Sequence, residues 1–239
     1  MTDLELLAGL ETEIPGWVLQ NRLRENGYVN VWQKIEGLVS DGYIERLKRG
    51  WYCLGPLLRR REPSLRYLAC NVCGPAAVSG NLVLFEAGII PDAVASVTAV
   101  SKKRSSSLMT PYGNIHWERL PSNMVFPGTS RVEEPPGYIR ATKEKALLDQ
   151  LYITRYTPQN YSLWKAFVFD DLRMDEEALA GLDFTLMQEL ARIFASAKIT
   201  KYMNWFLKYF GMPRIGRLPG GEKSYRRGRI EEIEYEFAE

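Results

Sequence analysis

The sequence is short of the residues that most catalytic and metal sites require. Its 239 residues include one histidine, His116, and three cysteines. The place of His116 just before Trp117 in a predicted strand indicates a strand residue rather than a general base. Cys70 and Cys73 form one C-x-x-C motif, but a zinc site needs two more ligands, and i, i+3 spacing favours the apolar face of a helix. We therefore expect no catalytic residues, no metal site and no cofactor.

Long apolar runs and secretion signals are also missing. No segment approaches the roughly 20 apolar residues of a membrane span, and the first residues lack the charged-then-apolar profile of a signal peptide. An odd number of cysteines argues against a disulfide framework and for a reducing compartment. The sequence contains neither a glycine-rich phosphate loop nor an H-E-x-x-H motif. These observations predict a cytoplasmic protein without a membrane partner.

The net charge is too small to mark the chain as a polycation. Lysine and arginine total 31 and aspartate and glutamate 29, which gives a net charge of +2. The cations are unevenly placed, because Arg46, Lys48, Arg49 and residues 59–61 occupy one stretch with no acid before Glu62. Such local charge predicts contact with phosphates. For residues 59–61, a solvated linker between domains is an equally open interpretation.

Residues 28–54 show the most informative pattern in the chain. Val31, Ile35 and Leu38 recur on one side of a helix predicted over residues 31–40. Asn30 can cap its first turn, and Gly42 supplies a left-handed stop. Two strands follow over residues 43–47 and 51–54, joined by a Lys-Arg-Gly turn whose glycine permits a positive φ. A packed helix followed by a tight basic ribbon is predicted.

The residues before this pattern complete it. Leucines at positions 4, 6, 7 and 10 predict a short first helix, and Pro15 opens a second helix that Asn26-Gly27 closes. Three helices followed by a ribbon are typical of a winged helix-turn-helix, which we expect to span residues 1–57 and to bind double-stranded DNA. The alternative is a winged domain with a solvated third helix that binds protein.

Contact residues follow from side-chain chemistry. Asn30 and Gln33 can pair with adenine and Lys34 can reach guanine, while Gly37 permits a close approach of the backbone. The ribbon cations are suited to phosphates or to a minor groove. The predicted DNA-binding residues are Asn30, Gln33, Lys34, Arg46, Lys48 and Arg49.

The remaining residues, 63–239, predict a mixed α+β domain with a helical C-terminal half. Helices are expected over residues 65–72 and 76–87, and strands over residues 94–100, 115–120 and 138–141. Thr142 is expected to cap a helix with a broad apolar face, and two more helices carry apolar residues over 186–197 and 199–210. Four cations within residues 223–229 and five glutamates from 231 to 239 predict an exposed arm.

Seven short segments carry a family resemblance. The most specific is ATKEKALLDQLY at residues 141–152, and the longest is LVSDGYIERLKRGWY at residues 38–52. The others are AVSGNL at 77–82, EAGIIP at 86–91, TAVSKKR at 98–104, YGNIHW at 112–117 and SAKI at 196–199. Together they resemble AbiEi-type antitoxins of abortive-infection (type IV) toxin–antitoxin systems, and residues 38–52 are similar to the helix-to-wing segment of that family.

The resemblance implies a winged-helix N-terminal domain that binds the promoter of its own operon and represses it. It further implies a C-terminal domain that neutralises a nucleotidyltransferase-like toxin encoded beside it. Glu144 and Asp149 lie on the best-matching segment, and we interpret them as structural: Glu144 as helix N-terminal charge and Asp149 as a solvated or capping residue. The resemblance gives neither the partner-binding residues nor the oligomeric state.

Two other functions stay open. The first is a winged-helix transcription regulator whose large domain binds a small ligand or dimerises. The second is a nuclease-like defence enzyme, because Pro91-Asp92 and Ser101-Lys102-Lys103 flank a predicted strand in the Pro-Asp…(Asp/Glu)-x-Lys layout of metal-dependent nucleases. That chemistry needs a second carboxylate to hold the metal, and Ser101 occupies its position. The nuclease is therefore disfavoured.

Overall fold

Short helices and a small sheet form the N-terminal unit, residues 2–58, in the computed structural model, which describes residues 2–212. The elements are α1 (Asp3–Leu7), β1 (Glu13–Pro15), α2 (Gly16–Glu25), α3 (Val31–Ser40), β2 (Ile44–Lys48) and β3 (Trp51–Leu54). The strand order is β1-β3-β2, and both pairings are antiparallel. The charged arm predicted at residues 223–239 lies outside the described residues.

Helix α3 has the bounds that its apolar spacing predicts. Its cap, Asn30, accepts a hydrogen bond from the backbone nitrogen of Gln33 at 3.2 Å. Val31, Ile35 and Leu38 are at most 7% exposed and pack into a core that the N-terminal unit builds from its own helices and sheet. The prediction of a packed helix over residues 31–40 is confirmed.

Strand β1 is absent from the sequence predictions. Ile14 is its only non-proline apolar residue, so the segment carries no alternating signal. It pairs with β3, with Ile14 opposite Tyr52. Directly after it, the backbone nitrogen of Gly16 donates to the carbonyl oxygen of Gly50 at 2.7 Å. The turn between β2 and β3 therefore packs against the start of α2.

The large unit, residues 63–212, is a six-stranded sheet covered by helices. Its sheet-forming part contains α4 (Leu65–Asn71), β4 (Ala76–Val78), α5 (Asn81–Glu86), β5 (Ser96–Ser101), β6 (Ser106–Thr110), β7 (Gly113–Arg119), α6 (Ser122–Val125), β8 (Thr129–Val132) and β9 (Tyr138–Ala141). Its helical part contains α7 (Lys143–Ile153), α8 (Tyr161–Ala166), a π-helical turn (Phe167–Asp171), α9 (Glu176–Ala180), α10 (Phe184–Phe194) and α11 (Ala197–Tyr209).

The large sheet is mixed. Its strand order is β6-β7-β5-β4-β9-β8. The β5/β7 and β4/β9 pairs are parallel, and the other neighbouring pairs are antiparallel. Residues 2–212 therefore form a mixed α/β structure with two sheets.

The helix predicted over residues 76–87 is wrong in its first part. Residues 76–78 form β4 inside the sheet, and each of them is at most 2% exposed. Gly80, with φ 69° and ψ −145°, then turns the chain before α5 begins. Alanine favours helices, but burial in the sheet outweighs that local preference. Strands β6 and β8 are also missing from the predictions because their exposed, polar residues lack apolar alternation.

Most other predicted elements are confirmed, with small shifts of their ends. Thr142 caps α7 by accepting a hydrogen bond from the backbone nitrogen of Lys145 at 3.2 Å. The last two helices separate at Ala195, whose φ is 48°, and Ser196 caps α11. Ala197 therefore belongs to α11 rather than to the helix before it.

The two units share packing at the β2–β3 ribbon. Leu47 and Cys53 of the ribbon belong to the core of the large unit, whereas Ile44, Tyr52 and Leu54 belong to the core of the N-terminal unit. The ribbon is thus held from both sides. None of the helices within residues 2–212 is long and apolar enough to cross a membrane.

Candidate nucleic-acid interface

The exposed side of α3 carries a preorganised polar group. Asn30 and Gln33 are both exposed. The Nδ2 atom of Asn30 donates to Oε1 of Gln33 at 3.1 Å, while Oδ1 of Asn30 caps the helix. The two side chains that were predicted to contact adenine therefore lie side by side. Trp32, 58% exposed, also lies on α3 and adds an aromatic surface.

Lys34 is partly buried against the N-terminal unit. Its Nζ atom lies 2.5 Å from Oδ1 of Asp3 on α1 and 5.4 Å from the ring centre of Tyr28. The hydrogen bond that Lys34 donates to Asp3 raises the pKa of the lysine. This contact occupies the ammonium group that was predicted to reach guanine, so a base contact by Lys34 requires the lysine to leave Asp3.

Arg46 connects the ribbon to α3. Its guanidinium forms an ion pair with Glu36 of α3 and lies 5.6 Å from the ring centre of Tyr52. The hydrogen bond to Glu36 raises the pKa of Arg46. Both partners of the ion pair are substantially exposed, so the pair contributes little to stability and is available for exchange with a phosphate. The ion pair therefore shows that Arg46 of the ribbon lies next to the exposed side of α3.

The two cations of the ribbon turn have different surroundings. Lys48 turns toward the large unit, where its Nζ atom lies 3.9 Å from Sγ of Cys73 and 5.9 Å from the ring centre of Trp117. Arg49 is exposed and has no ion-pair partner within residues 2–212. Of the six predicted contact residues, Gln33 and Arg49 are exposed and have the side chains least engaged in other contacts.

The interpretation of residues 59–61 as a solvated linker is wrong for Arg59 and Arg61, which form ion pairs within the structure. Arg59 donates to the hydroxyl of Tyr112 at 2.6 Å and lies 3.4 Å from Glu45 and 3.0 Å from Glu62. Tyr112 also donates a hydrogen bond to Glu45. Because Tyr112 lies in the large unit and Glu45 in β2, this cluster joins the two units.

Arg61 forms the second structural ion pair of this segment. Its two terminal nitrogens lie 2.7 and 2.6 Å from the two carboxylate oxygens of Glu13, which is 2% exposed. Such two-pronged contacts are the stronger kind of arginine–carboxylate pairing. A buried carboxylate is costly without a cation as its partner, and Arg61 supplies that cation to Glu13.

The residues considered for metal or redox chemistry are spread over the structure. Cys53 and Cys70 are buried, and burial raises the pKa of both thiols, that of Cys53 to about 12. Cys73 is half-buried, and His116 is exposed on β7. Within residues 2–212, no group of three or more His, Cys, Asp or Glu side chains is arranged to hold a metal ion.

The residues of the nuclease-like pattern make other contacts in the structure. Asp92 forms an ion pair with Arg173. Ser101 is 1% exposed; its hydroxyl donates to the carbonyl oxygen of Pro75 at 3.3 Å and accepts from the backbone nitrogen of Lys103 at 3.2 Å. Ser101 therefore stabilises the end of β5.

A buried polar cluster on α7 was not predicted from the sequence. Lys145 and Asp149 are both 0% exposed; Nζ of Lys145 lies 2.5 Å from each carboxylate oxygen, and Ser79 donates to Asp149 at 2.6 Å. The interpretation of Asp149 as solvated or capping is wrong, because its lysine partner one helical turn away allows burial. Glu144, 5% exposed, accepts from the backbone nitrogen of Asp183 at 3.1 Å, just before α10.

Comparison with known proteins adds no relative. A scan of the chain against protein-family models finds none that matches, and a search of curated proteins finds no match.

Proposed function

We propose that this chain is a DNA-binding antitoxin that represses its own operon. In this proposal residues 1–57 are a winged helix-turn-helix that reads double-stranded promoter DNA. Residues 63–239 neutralise a nucleotidyltransferase-like toxin encoded beside it. The protein acts without catalysis, metal or cofactor.

The main support for DNA binding is the way in which α3 is exposed. Its apolar side is buried, and its exposed side offers the hydrogen-bonded amides of Asn30 and Gln33 next to a ribbon that ends in Arg49. Paired amide groups can contact the two hydrogen-bonding atoms of adenine in the major groove, and an exposed arginine can contact a phosphate. The order of α2, α3 and the ribbon is the one a winged helix-turn-helix uses.

The antitoxin half is supported by the family resemblance, and the structure gives one physical reason for its best segment. Lys145 and Asp149 within residues 141–152 form the buried ion pair, and Glu144 accepts a backbone hydrogen bond at the start of α10. These residues stabilise the large unit, so that segment specifies the fold rather than a contact surface. Neutralisation of the toxin, whether direct or indirect, therefore depends on other residues of the large unit.

The DNA-binding half is tested by fluorescence anisotropy with DNA from upstream of the gene. We expect Gln33→Ala to weaken binding of that DNA by about 1–3 kcal/mol and to leave binding of unrelated DNA unchanged, because it removes a base contact. Arg49→Ala should weaken both equally and lower the salt slope by roughly one unit. Arg155→Ala, an exposed cation after α7, is the matched control. Unchanged binding by both variants would show that α3 and the ribbon do not read DNA.

The antitoxin half is tested by co-expression with the neighbouring toxin gene. Full-length protein with Gln33→Ala should protect the cells while repressing its promoter poorly, because Gln33 lies outside the unit that neutralises the toxin. If wild-type protein fails to protect cells from that toxin, the antitoxin proposal is wrong whatever the DNA result.

One observation favours the ligand-regulated repressor as a second candidate. A groove of about 520 Å³ lies between residues 62–66, residues 94–97, Leu82 and Tyr112. Tyr112 makes hydrogen bonds with both Arg59 and Glu45, so a ligand in the groove would act on the contact between the units. A gene neighbourhood of metabolic enzymes, together with a small molecule that raises the melting temperature and changes DNA affinity, would favour this candidate.

A further inference from the structure

A group of cations lies where the ribbon meets the large sheet. All six are exposed, and none has an ion-pair partner within residues 2–212. We name this group the basic corner, and its members are Lys48, Arg49, Lys102, Lys103, Arg104 and Arg119. Ten ion pairs occur elsewhere in the described residues, so the lack of partners here is a property of this surface.

A chain of contacts brings the two parts of the basic corner together. Nζ of Lys48 lies 3.9 Å from Sγ of Cys73, which lies 3.5 Å from the hydroxyl of Ser106 at the start of β6. Lys103 lies over Gly74, where an added Cβ would be 3.0 Å from Nζ of the lysine. The ribbon turn and the loop between β5 and β6 therefore border the same segment, residues 73–74.

The end of β7 adds the sixth cation. Arg119 lies opposite Ser101 in the sheet, and its backbone nitrogen donates to the hydroxyl of Ser105 at 3.1 Å. The loop that carries Lys102, Lys103 and Arg104 is thus folded back against β7. Among the described residues Glu118 is an acid near this loop, and it accepts a hydrogen bond from Ser105 at 3.2 Å. The corner is strongly positive in a chain whose net charge is only +2.

The basic corner is continuous with the surface proposed to read DNA. Arg46 of β2 pairs with Glu36 of α3, and Lys48 at the end of the same strand contacts Cys73 and the ring of Trp117. The ribbon therefore lies between α3 on one side and the β5–β7 corner on the other. A duplex seated on α3 and the ribbon turn would extend past the turn toward the corner.

We infer that the basic corner binds the phosphate backbone of the same duplex, so that the large unit is part of the DNA-binding surface. This inference rests on the proposed function. Phosphate contacts hold a protein in position on DNA without reading sequence, and flexible exposed lysines and arginines are the usual groups. The corner lengthens the footprint beyond the winged domain, and it ties DNA binding to the contact between the two units.

The test is a salt titration of DNA binding by a triple variant of the full chain. Lys102→Gln, Lys103→Gln and Arg104→Gln remove three charges from an exposed loop. A matched control removes three exposed charges from the helical part, with Arg155→Gln, Lys165→Gln and Arg192→Gln. Three lost phosphate contacts lower the slope of log K against log salt by about 2.7. Between 50 and 200 mM salt, the affinity of the wild type should therefore fall about 40-fold more than that of the triple variant.

The two triple variants separate this inference from the proposed function. The inference is supported if only the corner variant loses slope while the preference for upstream DNA over unrelated DNA stays. It is overturned, and the proposed function stands, if both variants keep the wild-type slope and preference. A corner variant that binds DNA normally but no longer protects against the toxin would show a protein contact and also overturn the inference. If the wild-type protein binds no duplex, both this inference and the proposed DNA binding are wrong.

Cys73 gives an independent readout at the centre of the corner. Since Cys53 and Cys70 are buried and their pKa values are raised, Cys73 is the cysteine that a thiol reagent modifies in the folded protein. Bound duplex should slow its alkylation in the wild type and in the helical control. An unchanged alkylation rate at saturating DNA would contradict the inference.

Discussion

Replacing Lys145 by methionine removes one partner of an ion pair that has no access to water. Both Lys145 and Asp149 are 0% exposed, and Nζ lies 2.5 Å from each carboxylate oxygen. Ser79, also 0% exposed, donates the only other hydrogen bond to that carboxylate among the described residues. Lys145→Met therefore leaves a buried negative charge with a single hydroxyl as its partner.

Loss of one partner from a buried pair costs about 3–5 kcal/mol of unfolding free energy. At roughly 2–4 °C per kcal/mol for a chain of this size, the melting temperature should fall by roughly 6–20 °C. The double variant Lys145→Met/Asp149→Leu replaces both charges with apolar groups and should recover most of the loss. Lys165→Met, at an exposed position on α8, is the control and should change stability by less than about 0.5 kcal/mol.

The loss should also depend on pH. Burial raises the pKa of Asp149 to about 6, while Lys145 and Ser79 act in the opposite direction. Without Lys145 the pKa rises further, so the folded variant holds a proton that the unfolded chain, with an ordinary aspartate pKa, releases near pH 4. A folded state that binds more protons loses stability as pH rises through this window. Lys145→Met should therefore be more destabilising at pH 8 than at pH 5.

Urea unfolding followed by tryptophan fluorescence measures this directly, because Trp117 and Trp164 belong to the same core. A loss of less than about 1 kcal/mol for Lys145→Met at pH 8, or an equal loss at pH 5 and pH 8, would contradict this assignment of the buried pair.

Two further substitutions test the environments of Glu13 and α3 in the N-terminal unit. Arg61→Ala leaves the buried Glu13 without its cation and should cost about 1.5–3 kcal/mol in a denaturant titration; no loss would show that Ser64 alone satisfies that carboxylate. Gly37→Ala adds a methyl group to open space on α3 and should raise stability by about 0.5–1 kcal/mol, since glycine is unfavourable inside a helix. The same variant should bind upstream DNA more weakly, because the methyl group separates the backbone from the groove; equal or tighter binding would contradict the placement of α3.

The sequence predicts the elements whose determinants are local. Helix α3 has its cap, its apolar spacing and its stop within thirteen residues, 30–42, so periodicity alone is sufficient. Strand β4 has the opposite character, because Ala76 and Ala77 favour a helix and only burial in the sheet selects the extended form. Local sequence patterns fail to predict an element when contacts with residues distant in the sequence decide its structure.

The same limit applies to the candidate interface. The sequence predicts that Gln33 and Arg49 are exposed, and the structure agrees. It does not reveal that Asp3, on the first helix, occupies Lys34, or that Lys48 turns toward Trp117. These contacts join residues 31 and 69 positions apart, and no periodicity encodes them. The buried pair on α7 did have a local signal, since a lysine and an aspartate four residues apart lie inside an apolar run.

The most direct test of the central claim compares two duplexes of equal length, one from upstream of the gene and one with the same bases scrambled. Fluorescence anisotropy at 150 mM salt gives both affinities of the full-length protein. We predict that the upstream duplex binds at least about 1,000-fold more tightly, as sequence-specific DNA binders do. Equal affinity for the two duplexes, or no binding of either, would contradict it.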